Sequence, residues 1–256
     1  MLYYNKISMR VFAHLKNLPE RFNKARDILT ACWKVKSVPN TYRKGDIFLP
    51  CYIYDGSFDG LLTAIYDAYY NKDFPEQIVS RDNFIDNFLI TKVYIQTDEE
   101  KSKKVHDAIL QKISRHAMAG IMYAYLSEHE NAGIYILEYL RFGFKAGRIV
   151  DSYLADDRVN NINRLVTKVT REKHLLSGII RFRLLQNNIY YAPIEPQYNT
   201  TCLLGKHFAE RMSDQIFVIH DVKRSYGVFY DKNKWFMSDI SIKEDIVFHE
   251  NELFYQ

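Results

Sequence analysis

The hydrophobic period of this chain changes near residue 179, and that change limits what the chain can fold into. Before it, apolar residues recur mainly at helical spacing. After it, short runs rich in Ile, Val, Tyr and Phe are cut by turn residues. Residues 57–70 follow Ser57, a natural N-cap, and place Leu61, Leu62, Ile65, Ala68 and Tyr69 on one face. "TDEEKSKKVHDAILQKISRHA" opens with Thr97 and Glu100 at capping-box spacing, then carries a stripe of Val105, Ala108, Ile109 and Ile113. Residues 117–126 and 131–146 read as helices. So does 157–176, with Val159, Ile162, Val166 and Val169 inward. Then "IIRFRLL" and "IYYAPIEP" read as strands joined at Asn187-Asn188, helical spacing returns over 201–212, and "QIFVIHD", "YGVFYD" and "KWFMS" are strands again. The expectation is an α+β protein, with a helical block (57–178) followed by a small antiparallel sheet with an inserted helix (179–248).

The 256 residues, 47% hydrophobic and 15% aromatic, suffice for a substantial core. No apolar run reaches the roughly 20 residues of a membrane span, and Arg10, His14 and Lys16 interrupt any signal-peptide core. Cys32, Cys51 and Cys202 lie far apart without CxxC spacing, which argues against a disulfide framework, a zinc ribbon or an iron–sulfur cluster. These features predict a cytoplasmic protein with no membrane partner. Residues 1–45 hold ten Lys/Arg against Glu20 and Asp27, a net +8, so the remainder carries −4 of the total +4. A basic segment of this kind faces nucleic acid, or the acidic part of its own chain, or simply solvent.

"EKHLLSGIIRFRLL", residues 172–185, joins helix to strand with Glu172 and His174 at one end and Arg181 and Arg183 at the other. Gly178 between them suits a helix C-terminus at positive φ. Arg181 is then expected near His174 or Glu195. His207 and Arg211 are four apart, on one helix face, with Leu204, Phe208 and Met212 alongside. They suit a phosphate or a pairing with Glu195. Asp221, Lys223 and Arg224 follow an apolar strand in a [DE]-x-K pattern, which in nucleases holds a magnesium ion and orients water. Glu195 is the sole second carboxylate in view, too few for a metal site, and no metal or cofactor is assigned. "YDGSFDG" is a strand–turn–helix junction able to cradle a phosphate, without GxxxxGK[ST] or GxGxxG. The other histidines lack zinc-ligand spacing. Trp235, Tyr190 and Tyr191 are candidates for stacking bases, or for core.

Taken in order, "YIYDGSFDGLLTAIYDAYY", "KVTREKHLLSGIIRFRLL", "IYYAPIEPQYN", "GKHFAERMSDQIFVIHDVKR" and "GVFYD" resemble the "probable DNA metabolism protein" family. This is a domain of unknown function whose genes accompany a radical-SAM protein and which is sometimes fused to a uracil-DNA-glycosylase-type domain. The resemblance covers residues 52–248. It matches at His174, Gly178, Arg181 and Phe182, at Glu195, Pro196 and Asn199, at His207, Phe208 and Arg211, and at Asp221, Lys223 and Arg224. By the same comparison residues 1–50 are a basic extension to the family domain at 51–256, and a terminal aromatic and basic segment is missing. The resemblance implies an accessory protein of DNA repair or modification that binds nucleic acid, DNA foremost, and a radical-SAM partner. In that reading His174, Arg181, Arg211, Lys223 and Arg224 contact phosphate. The alternative is a nuclease or base-acting hydrolase with Glu195, His207 and Asp221 as catalytic candidates. The chain has no CxxxCxxC cluster motif of its own.

Overall fold

A computed structural model describes residues 50–86, 90–185 and 188–240. The chain divides into residues 1–46 and 47–256, and all described residues belong to the second unit. The basic segment 1–45 lies outside them.

The first half is built on a parallel sheet. Strand β1 (Pro50–Tyr54) is buried along its whole length, as a central strand covered on both faces must be. It is flanked by β2 (Gln77–Ser80) and β3 (Thr91–Tyr94), both parallel to it, in the order β2-β1-β3. Helix α1 (Phe58–Tyr70) makes the crossover from β1 to β2. Ser57 caps it by accepting from the Gly60 N–H, and Leu61, Leu62, Ile65 and Ala68 are buried while Tyr69 is exposed.

Four further helices complete this half: α2 (Glu99–Lys112), α3 (Arg115–Leu126), α4 (Ala132–Ala146), which packs on β2, and α5 (Asp157–Ile179), which packs on α3 and α4. Their buried residues, among them Ile109, Ile121, Ile136, Leu140, Ile162 and Leu165, join Tyr52 and Leu62 in one core. The cap of α2 is Asp98, which accepts from the Glu100 and Lys101 N–H groups. Thr97 is not the cap, because its hydroxyl is given to Asp55 instead. The region expected to be wholly helical therefore contains a sheet. β2 and β3 are four residues each, too short and irregular to register as strands in the sequence.

The second half is a five-stranded sheet in the order β4-β5-β6-β7-β8: Arg183–Leu184, Ile189–Ile194, Ile216–Asp221, Tyr226–Tyr230 and Trp235–Asp239. The hairpin between β4 and β5 is present, with Asn188 at φ 55. Every pair is antiparallel except β5–β6, which is parallel. The connection from β5 to β6 holds a short 3-10 turn and helix α6 (Gly205–Arg211). A crossover of that length returns the chain to the end it left, and parallel pairing follows. Leu204 and Phe208 from this connection pack on Phe217, Ile219, Val228 and Tyr230. The α+β class stands, with an antiparallel-rich sheet at the C-terminal side.

The helix–strand junction differs from expectation. α5 runs through Gly178 to Ile179 and ends on the extended Ile180. Gly178 keeps ordinary helical geometry at an exposed position with open space beside it. Phe182 is no strand residue. It sits edge-on to Phe208 and Phe217, at ring separations of 5.3 and 5.6 Å. That contact uses the residues that a longer strand would have taken, and β4 is left with two.

Candidate nucleic-acid interface

The 23-residue helix α5 buries Val159, Ile162, Leu165 and Val169. At 100° per residue, the opposite face carries Asn160, Asn163, Arg164, Thr167, Lys168, Arg171, His174, the exposed Leu175 and Gly178. Arg164, Lys168, Arg171 and His174 are exposed, and none makes an ion pair among the described residues. No carboxylate lies on this face from Asn160 to Gly178, a length of about 27 Å at 1.5 Å per residue. Glu172, the one acid within that span, points elsewhere. Its carboxylate accepts from the Gln197 N–H (2.6 Å), the Tyr198 N–H (3.0 Å) and the Thr200 hydroxyl (3.0 Å), and so holds the loop after β5 against α5. Arg181, just past the helix, is exposed and has neither Glu195 nor His174 as a partner. The outcome is a basic strip that makes no ion pair among the described residues.

The remaining expected site residues divide by environment. Asp221 is fully buried at the end of β6. It accepts from Thr201 Oγ1 (3.2 Å), from the Arg224 N–H (3.1 Å) and from Arg224 Nη1 (2.9 Å). The same guanidinium donates to Glu128 Oε2 (2.6 Å), Pro196 O (3.2 Å) and Gln197 O (3.3 Å). Burial works against the Arg224 cation, but Glu128 and Asp221 outweigh it and raise its pKa. All the polarity of Asp221 and Arg224 is consumed in tying the β6–β7 turn to the end of α3 and to the 196–197 backbone. A carboxylate so engaged is not an open metal ligand, and Lys223 beside it points out as an exposed residue. Among the described residues no group of three His, Cys, Asp or Glu is placed to hold a metal ion.

Glu195 and Arg211 are exposed, and neither pairs with the other or with any described residue. Of the two partners expected for Arg211, a carboxylate or a phosphate, no carboxylate is found among the described residues. His207 lies with its ring edge toward Phe208, and its Nε2 is buried without a hydrogen-bond partner among the described residues. No hydrogen bond joins Glu195, His207 and Asp221. His220 is buried and shares a 2.7 Å hydrogen bond with the Tyr191 hydroxyl. Tyr191 is therefore core, and Trp235 lies against Gly205.

The "YDGSFDG" junction is closed to phosphate by its own residues. Asp55 accepts from the Ser57 N–H (3.0 Å), the Ser57 hydroxyl (2.7 Å) and the Thr97 hydroxyl (2.9 Å). Burial tends to raise its pKa, but these hydrogen bonds win and hold the carboxyl below its usual value. A carboxylate already occupies the positive end of α1, and a second anion there would be repelled. Tyr125 donates to Gly56 O (2.7 Å), and burial with Glu128 nearby pushes its pKa up to about 12.

The described residues thus form an α+β arrangement with two sheets, and the exposed basic face of α5 makes no ion pair among them. Residues 130–256 match the family model described as a domain of unknown function, DUF4130. The matched span begins at the turn before α4 and takes in α5 and the second sheet. Comparison with curated proteins gives no match. Among the described residues no helix is long and apolar enough to cross a membrane.

The sequence reading missed Arg164, Lys168 and Arg171. Their signal was present, as i, i+4 and i+7 spacing opposite the Val159–Val169 stripe.

Proposed function

We propose that the protein is a nucleic-acid-binding accessory factor of DNA repair or modification, and that the exposed face of α5 grips the phosphate backbone. The observation that carries this is the strip of Arg164, Lys168, Arg171 and His174, about 27 Å long at 1.5 Å per residue, which makes no ion pair among the described residues. Asn160, Asn163 and Thr167 interleave with the cations and supply neutral donors to phosphate and sugar. Arg181 extends the strip beyond the helix. The family resemblance supplies the DNA-metabolism setting and a radical-SAM protein as partner. Arg224 is withdrawn from the contact by its ion pairs, while Lys223 and Arg211 remain exposed.

Fluorescence anisotropy of the full chain with duplex and single-stranded oligonucleotides, between 50 and 200 mM salt, tests this. Each neutralised phosphate contributes about −0.9 to the log–log salt slope on duplex and about −0.7 on single strands. Replacing Arg164, Lys168 and Arg171 by Ala is expected to flatten the slope by about 2.7 or 2.1 respectively. An unchanged slope removes α5 from the interface. No binding at low salt removes the proposal.

A further inference from the structure

The tyrosines of α1 do not all serve the core. Tyr66, Tyr69 and Tyr70 line a groove of about 70 Å³ together with Ile65, Lys104, Val105, Ala108, Lys112 and Phe144. Tyr69 is 42% and Tyr70 65% exposed, a large solvent cost for two aromatic rings. The rings are held in place by one another. Tyr66 and Tyr70 lie 4.3 Å apart at 31°, and Tyr69 stands edge-on to Phe144 at 5.6 Å. Lys104 and Lys112, eight residues apart on α2, are both exposed and make no ion pair among the described residues. The neighbouring acid Asp67 is neutralised by Lys101 at 2.7 Å, and Asp73 accepts from Tyr52. A fixed aromatic wall thus stands beside two lysines, spaced about 12 Å along one helix, that make no ion pair among the described residues.

We infer that this groove is a nucleotide site, taking an unstacked base against Tyr69 and Tyr70 while its phosphates lie along Lys104 and Lys112. Flat π faces accept any base, and cations beside them select an anionic ligand over a neutral aromatic one. The groove shares no residue with the α5 face. The inference rests on the nucleic-acid reading only for the source of the nucleotide, an extruded or single-stranded base of the bound strand.

The test uses the full chain with a labelled twelve-residue deoxythymidine oligomer, the duplex of equal length, and AMP. Tyr70→Ala is solvent-exposed and leaves the fold intact, which circular dichroism checks. Oligomer affinity is expected to fall about 5- to 150-fold in Tyr70→Ala, the span of one base–aromatic stack, with duplex affinity unchanged. Lys104→Ala with Lys112→Ala is expected to weaken the oligomer and flatten its salt slope by about 1.4. AMP binding that is lost in Tyr70→Ala upholds the nucleotide site and assigns it to free nucleotide. Oligomer binding that survives all three substitutions while the α5 variant abolishes it overturns the groove and leaves the α5 proposal standing. Absence of binding by every probe overturns both.

Discussion

Arg224→Ala should be the most damaging single change in the second sheet, and its cost follows from the structure. The substitution leaves Asp221 with the Arg224 N–H and the Thr201 hydroxyl, but without its cation, at 0% exposure. Breaking a buried ion pair from one side costs about 3–5 kcal/mol. The two surviving donors place this case at the lower end, about 3 kcal/mol. Glu128 is 39% exposed, so solvent screens its loss to at most about 1 kcal/mol. The expected total is about 3–4 kcal/mol. At about 2–4 °C per kcal/mol for a unit of this size, Tm should fall by about 6–16 °C. Urea unfolding followed by circular dichroism gives the free energy directly, with an unchanged m value showing that the denatured state is not the cause. Adding Asp221→Asn to Arg224→Ala should recover part of the loss, because no stranded charge remains. A loss below 1 kcal/mol, or no recovery in the double variant, refutes the assignment of Arg224 and Asp221 to the fold. Arg211→Ala is the contrasting case. With no partner among the described residues, it should change stability by less than about 0.5 kcal/mol.

Gly60→Ala should destabilise by about 1–2 kcal/mol, because a Cβ there meets Asp55 Oδ1 and Thr97 Oγ1. Helix propensity alone gives the opposite sign, a gain of about 1 kcal/mol, so the direction of the melting shift decides. His220 has its pKa lowered by burial, against a smaller opposing pull from Asp221. A folded pKa below the unfolded value near 6.5 means that stability is full above that pH and declines as pH falls through it. His220→Gln should flatten this decline, and equal pH slopes for the two proteins would show that the group does not titrate with folding.

The sequence by itself determined the elements whose apolar spacing is long or whose turn chemistry is specific. α1 with its Ser57 cap, the α5 stripe, the Asn188 hairpin and the change of period near residue 179 all follow from local preference. It also placed Asp221 and Arg224 together, three residues apart after a strand. Tertiary structure decided their role. Only burial to 0% and the arrival of Glu128, 96 residues away, turn an apparent metal-and-lysine arm into a structural ion pair. The parallel sheet was invisible for a related reason. β2 and β3 are four residues each and gain their stability from pairing with β1, so little of the signal is local. Gly178 lacks a stop role because Phe182 is drawn between Phe208 and Phe217, a contact across more than 25 residues that lets the helix continue. The exposed cations of α5 were written in the sequence as a helical spacing. Which of them stay unpaired was set by where the fold put the carboxylates, since Glu172 spends its charge on the 197–200 loop. A charge pattern is a local property, but its neutralisation depends on distant residues, and only the folded chain brings those into reach.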